Sequence, residues 1–159
     1  MLFRSEAIGG EIARKRGAAI VPPYEDPYII AGQGTIGLEI ARQAEALGAT
    51  LDAVLTACSG GGLASGIATA LAARSPRTAV YSVEPAGFDD LSRSLKSGKR
   101  EHNAPDARSI CDALLAATPG ELTFSINSRL LAGGLVVTDA EVRAAMLAAF
   151  NELKLVGEP

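Results

Sequence analysis

Apolar residues recur at helical spacing (Ala7, Ile8, Ile12, Ala13) across residues 5–16, and Gly17 stands where such a helix should stop. The short apolar run at 18–21, closed by Pro22-Pro23, predicts a strand. Residues 24–35 read as a loop feeding a helix over 36–47, with Thr35 as N-cap and Gly48 as terminator. Residues 51–58 are continuously apolar, as expected of a parallel strand buried on both faces. The turn Ser59-Gly60-Gly61-Gly62 opens a helix over 63–73, ended by Ser75-Pro76, and 78–84 reads as the next strand.

Beyond Pro85 the pattern loosens. Residues 89–97 suit an exposed helix ended by Gly98, 100–106 a polar loop, and 109–117 a short apolar segment of no definite type. A helix is expected over 124–132, stopped by Gly133-Gly134, and then a short strand over 135–137. Thr138 and Glu141 form a capping box before the stripe Val142, Ala145, Met146 and Ala149, in a final helix to about residue 153. No repeat or low-complexity segment interrupts this order. The alternation of strand and helix with short connections predicts an α/β fold. It should be a three-layer αβα arrangement with a parallel sheet, right-handed crossovers and helices on both faces.

Composition narrows the class. The chain has 159 residues, 48% hydrophobic and 21% charged, with a formal charge of −3. That size suits one domain and excludes wholesale disorder. The acidic balance argues against nucleic-acid or anionic-membrane partners. No apolar run approaches the ~18 residues of a bilayer span, and the start MLFRSEAIGGE lacks the apolar core of a secretory signal. Cys58 and Cys111 suit free thiols in a reducing cytoplasm. The single histidine, His102, lies in a polar stretch and leaves little for a histidine zinc site or a Ser-His-Asp triad.

The glycine turn carries the candidate chemistry. At a strand-to-helix junction its backbone N–H groups and the helix dipole make a phosphate cradle, to which Ser59 adds a hydroxyl. Three glycines also suit a plain tight turn. A dinucleotide fingerprint is met in part: Gly60 and Gly62 fit, Ser65 stands at the third position with Gly66 one place late, and Glu84 ends the next strand. That leaves open an NAD-type nucleotide-binding or regulatory domain without covalent chemistry. A Walker loop is excluded, because no Lys-Ser/Thr follows the glycines.

Three ordered motifs, AGQGTIGLEI (31–40), CSGGGLASG (58–66) and SVEPAGFDD (82–90), with the later SICDALLAATPGELTF and TDAEVRAAMLAAFNELKLVGEP, resemble the serine/threonine dehydratase and serine racemase family. These are fold-type-II pyridoxal-phosphate enzymes related to the tryptophan synthase β chain. The resemblance implies that Ser59, Gly60, Gly61, Gly62 and Leu63 clamp the phosphate of pyridoxal 5'-phosphate, with Ser59 replacing a usual glycine. It places Gly32, Gln33 and Gly34 near the active-site mouth, although Gln33 also reads as a plain loop residue. It implies a magnesium or calcium site made by Glu84, the carbonyl of Phe88 and Asp90, a hard-oxygen set such cations prefer. Asp89 and Asp90 equally suit the positive end of the following helix. Ala113 replaces a ring-lining glycine of the family, and Cys111 reads as a small core residue.

By the same resemblance the reaction eliminates the β-hydroxyl of a 3-hydroxy amino acid, giving a 2-oxo acid and ammonia, and needs a lysine bound to the cofactor. Serine, threonine and 3-hydroxyaspartate all remain open as substrates, as does racemisation. None of the four lysines (Lys15, Lys96, Lys99, Lys154) sits in the Ser-Phe-Lys context that carries this role. Residues 1–159 therefore read as one partial domain, the C-terminal half of the cofactor-binding large domain. Alone it should be catalytically inactive, bind phosphate or pyridoxal phosphate weakly at best, and be prone to aggregate through uncovered sheet faces, while the full-length enzyme is expected to be a homo-oligomer.

Overall fold

The computed structural model describes residues 2–159, with side chains from residue 7 onward. Helix α1 (Leu2–Arg16) ends at Gly17, as its spacing predicts. The expected strand at 18–21 does not form: Ile20 and Val21 are 62% and 73% exposed, and the three-stranded sheet has the order β1-β2-β3 with no place for it. Two following prolines also deny this segment ladder donors.

Helix α2 (Pro27–Ala46) begins well before residue 36. Its N-cap is Asp26, whose Oδ1 accepts from Tyr28 N (2.8 Å) and Ile29 N (3.1 Å), and Pro27 takes the first helical position. Thr35 is therefore interior, and its hydroxyl donates back to the Gly32 carbonyl (2.7 Å). Of the glycines in this stretch, Gly34 and Gly37 are helix-contact residues, while Gly32 meets nothing. A Cβ on Gly66 would lie 2.6 Å from both Gly34 N and Ile30 O, so α2 runs almost backbone to backbone along α3 (Gly62–Arg74).

Strands β1 (Ala53–Ala57), β2 (Ala79–Pro85) and β3 (Gly133–Val137) are parallel, with Val83 in register with Ala57 on one side and Leu135 on the other. Val80, Ser82 and Glu84 alternate on the buried face of β2. Val80 joins Ile67, Ala68 and Leu71 of α3 in one core cluster, while Cys58, Ala64 and Leu91 form a second. The expectation that β1 is buried on both faces is corrected: only Thr56 of its five residues is buried and Leu55 is 60% exposed, because the face carrying Ala53, Leu55 and Ala57 is not covered. Leu55, Tyr81, Val83 and Leu135 share the opposite face, which stays partly open. The layers amount to a partial αβα domain.

Helix α4 (Asp90–Ser97) is half-buried rather than exposed, with Asp90, Leu91, Ser92 and Ser94 inside. A 3-10 turn (Asp112–Leu114) precedes α5 (Glu121–Leu130). Gly133-Gly134 start β3 instead of only ending a helix, since a Cβ at Gly134 would collide with the hydroxyls of Ser82 and Ser92. The capping box of α6 (Asp139–Ala148) forms as expected: Glu141 Oε2 accepts from Thr138 N (2.7 Å) and Thr138 Oγ1 from Glu141 N (3.3 Å). A π-helical turn, Ala149–Leu153, follows.

The close approach of α2 to α3 makes Gly66→Ala a specific probe. The added methyl meets backbone on α2 and cannot be relieved by a rotamer change, so we expect a loss of about 1–3 kcal/mol. Chemical denaturation of the purified variant measures it.

Candidate functional site

The site grows from the carboxyl ends of β1 and β2, the edge at which ligands meet open α/β sheets. After β1 the chain turns through Ser59 to Gly62 into α3. Gly61 is the N-cap, with φ +92°, a conformation suited to glycine, and no side chain caps the helix. Gly60, Gly61, Gly62 and Ala64 are buried. A buried helix N-terminus with no capping side chain leaves several amides in want of an acceptor, and an anion is the natural one.

The walls of this turn come from distant segments. On one side the Gly60 carbonyl accepts from Thr123 Oγ1 (2.6 Å) and Gly120 N (3.3 Å). The Gly61 carbonyl accepts from Asn127 Nδ2 (3.1 Å), and Ser65 Oγ donates to Asn127 Oδ1 (3.1 Å). On another side the ring of Tyr24 lies against Gly60, and its Cβ approaches Gly62, which only residues without side chains permit. Glu25, at φ +63°, turns its carboxylate onto the start of α5, accepting from Leu122 N (2.6 Å) and Thr123 N (3.4 Å). Gln33 is not a loop residue: it projects from α2, and its Nε2 donates to the Pro23 carbonyl (3.1 Å). Ser59 Oγ accepts from Ala116 N (3.1 Å), joining the glycine turn to the segment after the 3-10 turn.

At the neighbouring helix N-terminus the protein supplies its own anion. Glu84, fully buried at the end of β2, accepts from Leu91 N (2.9 Å) and Ser92 N (2.7 Å) at the start of α4. Burial pushes its carboxyl up to about 7, against the pull of those two amides. Asp90, 1% exposed, receives one hydrogen bond from Asn103 Nδ2 (2.5 Å) on Oδ1, while its Oδ2 is buried with no hydrogen-bond partner. Burial raises it to about 6, and the Asn103 bond opposes the rise. Phe88, 8% exposed, lies between these residues in sequence. Cys58 is buried, and its thiol is pushed far up by burial and by the nearby Glu84 and Asp90. It is an inert core residue here, not a nucleophile.

This geometry does not favour the dinucleotide reading. Glu84, which would have to meet a ribose, is enclosed and committed to α4, and Gly66 is pressed against α2. Thr123, Asn127, Tyr24 and Glu25 were not marked by sequence reasoning as site residues. Their only local signal is the Asp-Pro helix start that follows Tyr24-Glu25.

A parallel α/β layer with a buried, uncapped helix start behind a glycine turn defines an α/β domain with a place suited to an anion. Residues 4–159 match the family model described as pyridoxal-phosphate dependent enzyme, and the chain belongs to that family. It is 35% identical over 150 residues to the serine racemase of Dictyostelium discoideum, covering 94% of this chain and 45% of that protein. With the L-threo-3-hydroxyaspartate ammonia-lyase of Saccharomyces cerevisiae it shares 36% over 155 residues, 97% of this chain and 46% of that one. The crystal structure of the T.th. threonine deaminase superposes with a TM-score of 0.91 at 38% identity, covering 96% of this chain and 55% of that chain. The chain spans about half the length of the curated relatives it matches. No helix among the described residues is long and apolar enough to cross a membrane.

The two buried carboxyls give a pH signature. Each binds its proton more readily in the folded than in the unfolded chain. The folded state therefore holds more protons between pH about 4 and 7, and their contribution to stability falls as pH rises through that window. We expect Asp90→Asn to flatten this decline relative to the parent chain in melts from pH 5 to 7.5. Parallel profiles for the two proteins would show that Asp90 ionises without penalty.

Proposed function

We propose that this chain forms the cofactor-phosphate cradle of a pyridoxal-phosphate-dependent amino-acid ammonia-lyase of the serine/threonine dehydratase type, with amino-acid racemisation as the related alternative. The observation that carries it is the buried, uncapped start of α3. The family match and the names of the relatives, two acting on 3-hydroxy amino acids, support the reaction class. In the whole protein the substrate would be a small 3-hydroxy amino acid that loses its hydroxyl and yields a 2-oxo acid and ammonia. When bound, the cofactor supplies the electron sink for the carbanion formed at the substrate α-carbon.

The chain's own residues would bind and orient. The amides of Gly62 and Leu63, in the first turn of α3 where no intrahelical acceptor exists, would hold the phosphate, within the set Ser59, Gly60, Gly61, Gly62 and Leu63. Gly61 contributes its conformation, its N–H lying by the Cys58 sulfur. Ser59, whose oxygen already accepts from Ala116 N, keeps its proton to donate to the phosphate. The burial of Gly60, Gly61 and Gly62 excludes water and strengthens each of these bonds. The lysine that carries the cofactor covalently is not among this chain's four, all of which are exposed.

Equilibrium dialysis of the purified chain against pyridoxal phosphate tests the cradle. We expect saturable binding that inorganic phosphate displaces. Ser59→Asp, which sets a carboxylate beside the amides, should weaken it about tenfold or more, equivalent to ~1.4 kcal/mol. Absence of binding by the parent chain, or equal binding by the variant, would count against the assignment.

A second site follows from a separate observation, the buried and unpartnered Asp90 Oδ2. We propose that Glu84, the carbonyl of Phe88 and Asp90 hold magnesium or calcium. Among the described residues no three His, Cys, Asp or Glu side chains converge, so the third protein ligand would be that carbonyl. Hard oxygens suit either cation, which would complete its shell with water. Calcium or magnesium should raise the melting temperature of the parent chain over that in chelator, and leave Asp90→Asn unmoved. An equal rise in both proteins would remove these residues from the site.

A further inference from the structure

The carbonyls of the glycine turn are anchored on the side away from the open helix start. In a trans peptide the C=O and the following N–H point in opposite directions, and no cis peptide bond occurs among the described residues. The carbonyl of Gly61 is held by Asn127 Nδ2 (3.1 Å) as well as by the first helical donor, Ser65 N (2.9 Å). The N–H of Gly62, in the same peptide plane, is thereby turned away from α5. The preceding plane is held likewise, its Gly60 carbonyl gripped by Thr123 Oγ1 (2.6 Å) and Gly120 N (3.3 Å). Thr123, Asn127 and Ser65 are all 0% exposed, so nothing in water competes for these bonds.

The anchor is itself fixed. Ser65 Oγ donates to Asn127 Oδ1 (3.1 Å), which sets the amide so that Nδ2 faces Gly61. Glu25 caps the start of α5 through Leu122 N and Thr123 N, holding the helix that carries both anchors.

We propose that Thr123 and Asn127 are positioning residues for the phosphate cradle: by holding the carbonyls of Gly60 and Gly61 toward α5, they keep the peptide planes of the turn oriented with the Gly62 amide open to the anion. Neither touches the phosphate. This rests on the reading of the glycine turn as the phosphate site. Without the anchors these two planes keep only the backbone bonds from Gly120 N (3.3 Å) and Ser65 N (2.9 Å), and glycine resists their rotation least. The cradle then has to be ordered by the ligand at the ligand's expense.

The experiment uses the intact chain, labelled with nitrogen-15, with inorganic phosphate and pyridoxal phosphate as probes. Thr123→Val keeps the shape and removes the hydroxyl, Thr123→Ser restores it, and Asn127→Leu removes the second anchor. Thr123→Val and Asn127→Leu should each weaken both ligands about tenfold, the scale of one lost buried hydrogen bond. They should also shift the Gly61 and Gly62 amide resonances in the ligand-free protein, and Thr123→Ser should return both affinity and resonances to the parent values. A purely packing role would lower the melting temperature and leave affinity and amide resonances in place, and that result overturns the proposal.

The parent chain supplies a check that needs no substitution. When phosphate takes up the Gly62 N–H, the carbonyl of the same plane is polarised and the Asn127 side-chain amide resonances should move with it. If the Gly62 and Leu63 amides shift while those of Asn127 stay fixed, the proposal fails even if every variant misfolds. If neither ligand binds the parent chain or moves these amides, the phosphate site itself is wrong.

Discussion

Gly61 and Gly62 at the start of α3 are buried, and among the described residues no side-chain oxygen receives the Gly62 or Leu63 amide. Much of the architecture encloses this point. A helix start of this kind is costly to enclose unless something accepts its donors. Here the enclosure is thorough. Gly34, Gly37 and Gly66 let α2 close along α3, Tyr24 lies on the glycine turn, and α5 takes the carbonyls from behind. The site is thus less a feature of the turn than of three elements brought around it.

The contrast with α4 shows what is unusual. Both helices begin at the carboxyl edge of the parallel sheet, directly after a strand. At α4 the vacancy is filled from within, because Glu84 reaches two amides of the next helix and neutralises its positive end. At α3 the equivalent place after β1 holds Cys58 and Ser59. The thiol is kept neutral by its burial, with Glu84 and Asp90 adding to the effect, and the Ser59 oxygen accepts from Ala116 N. One helix start is satisfied by a carboxylate of the chain, and its neighbour is not.

What the sequence disclosed follows the range of the interactions concerned. The capping box of Thr138 and Glu141 was legible because its partners stand three residues apart. The glycine turn and the order of strands and helices were legible for the same local reason. The start of α2 was not, since Gly32, Gly34 and Gly37 imitate a loop and only contact with α3 explains two of them. The anchors were invisible for a stronger reason. Gly60 meets Thr123 across 63 residues, Gly61 meets Asn127 across 66, and Glu25 meets Leu122 across 97. No periodicity encodes such pairs.

Ser59 draws these threads together. The family resemblance leads one to expect glycine there, and a serine next to a phosphate invites reading its hydroxyl as a ligand. In the fold its oxygen accepts from Ala116 N, so only the hydroxyl proton is left to reach a ligand. Its side chain ties the glycine turn to the segment after the 3-10 turn across 57 residues, a pairing that no local pattern encodes.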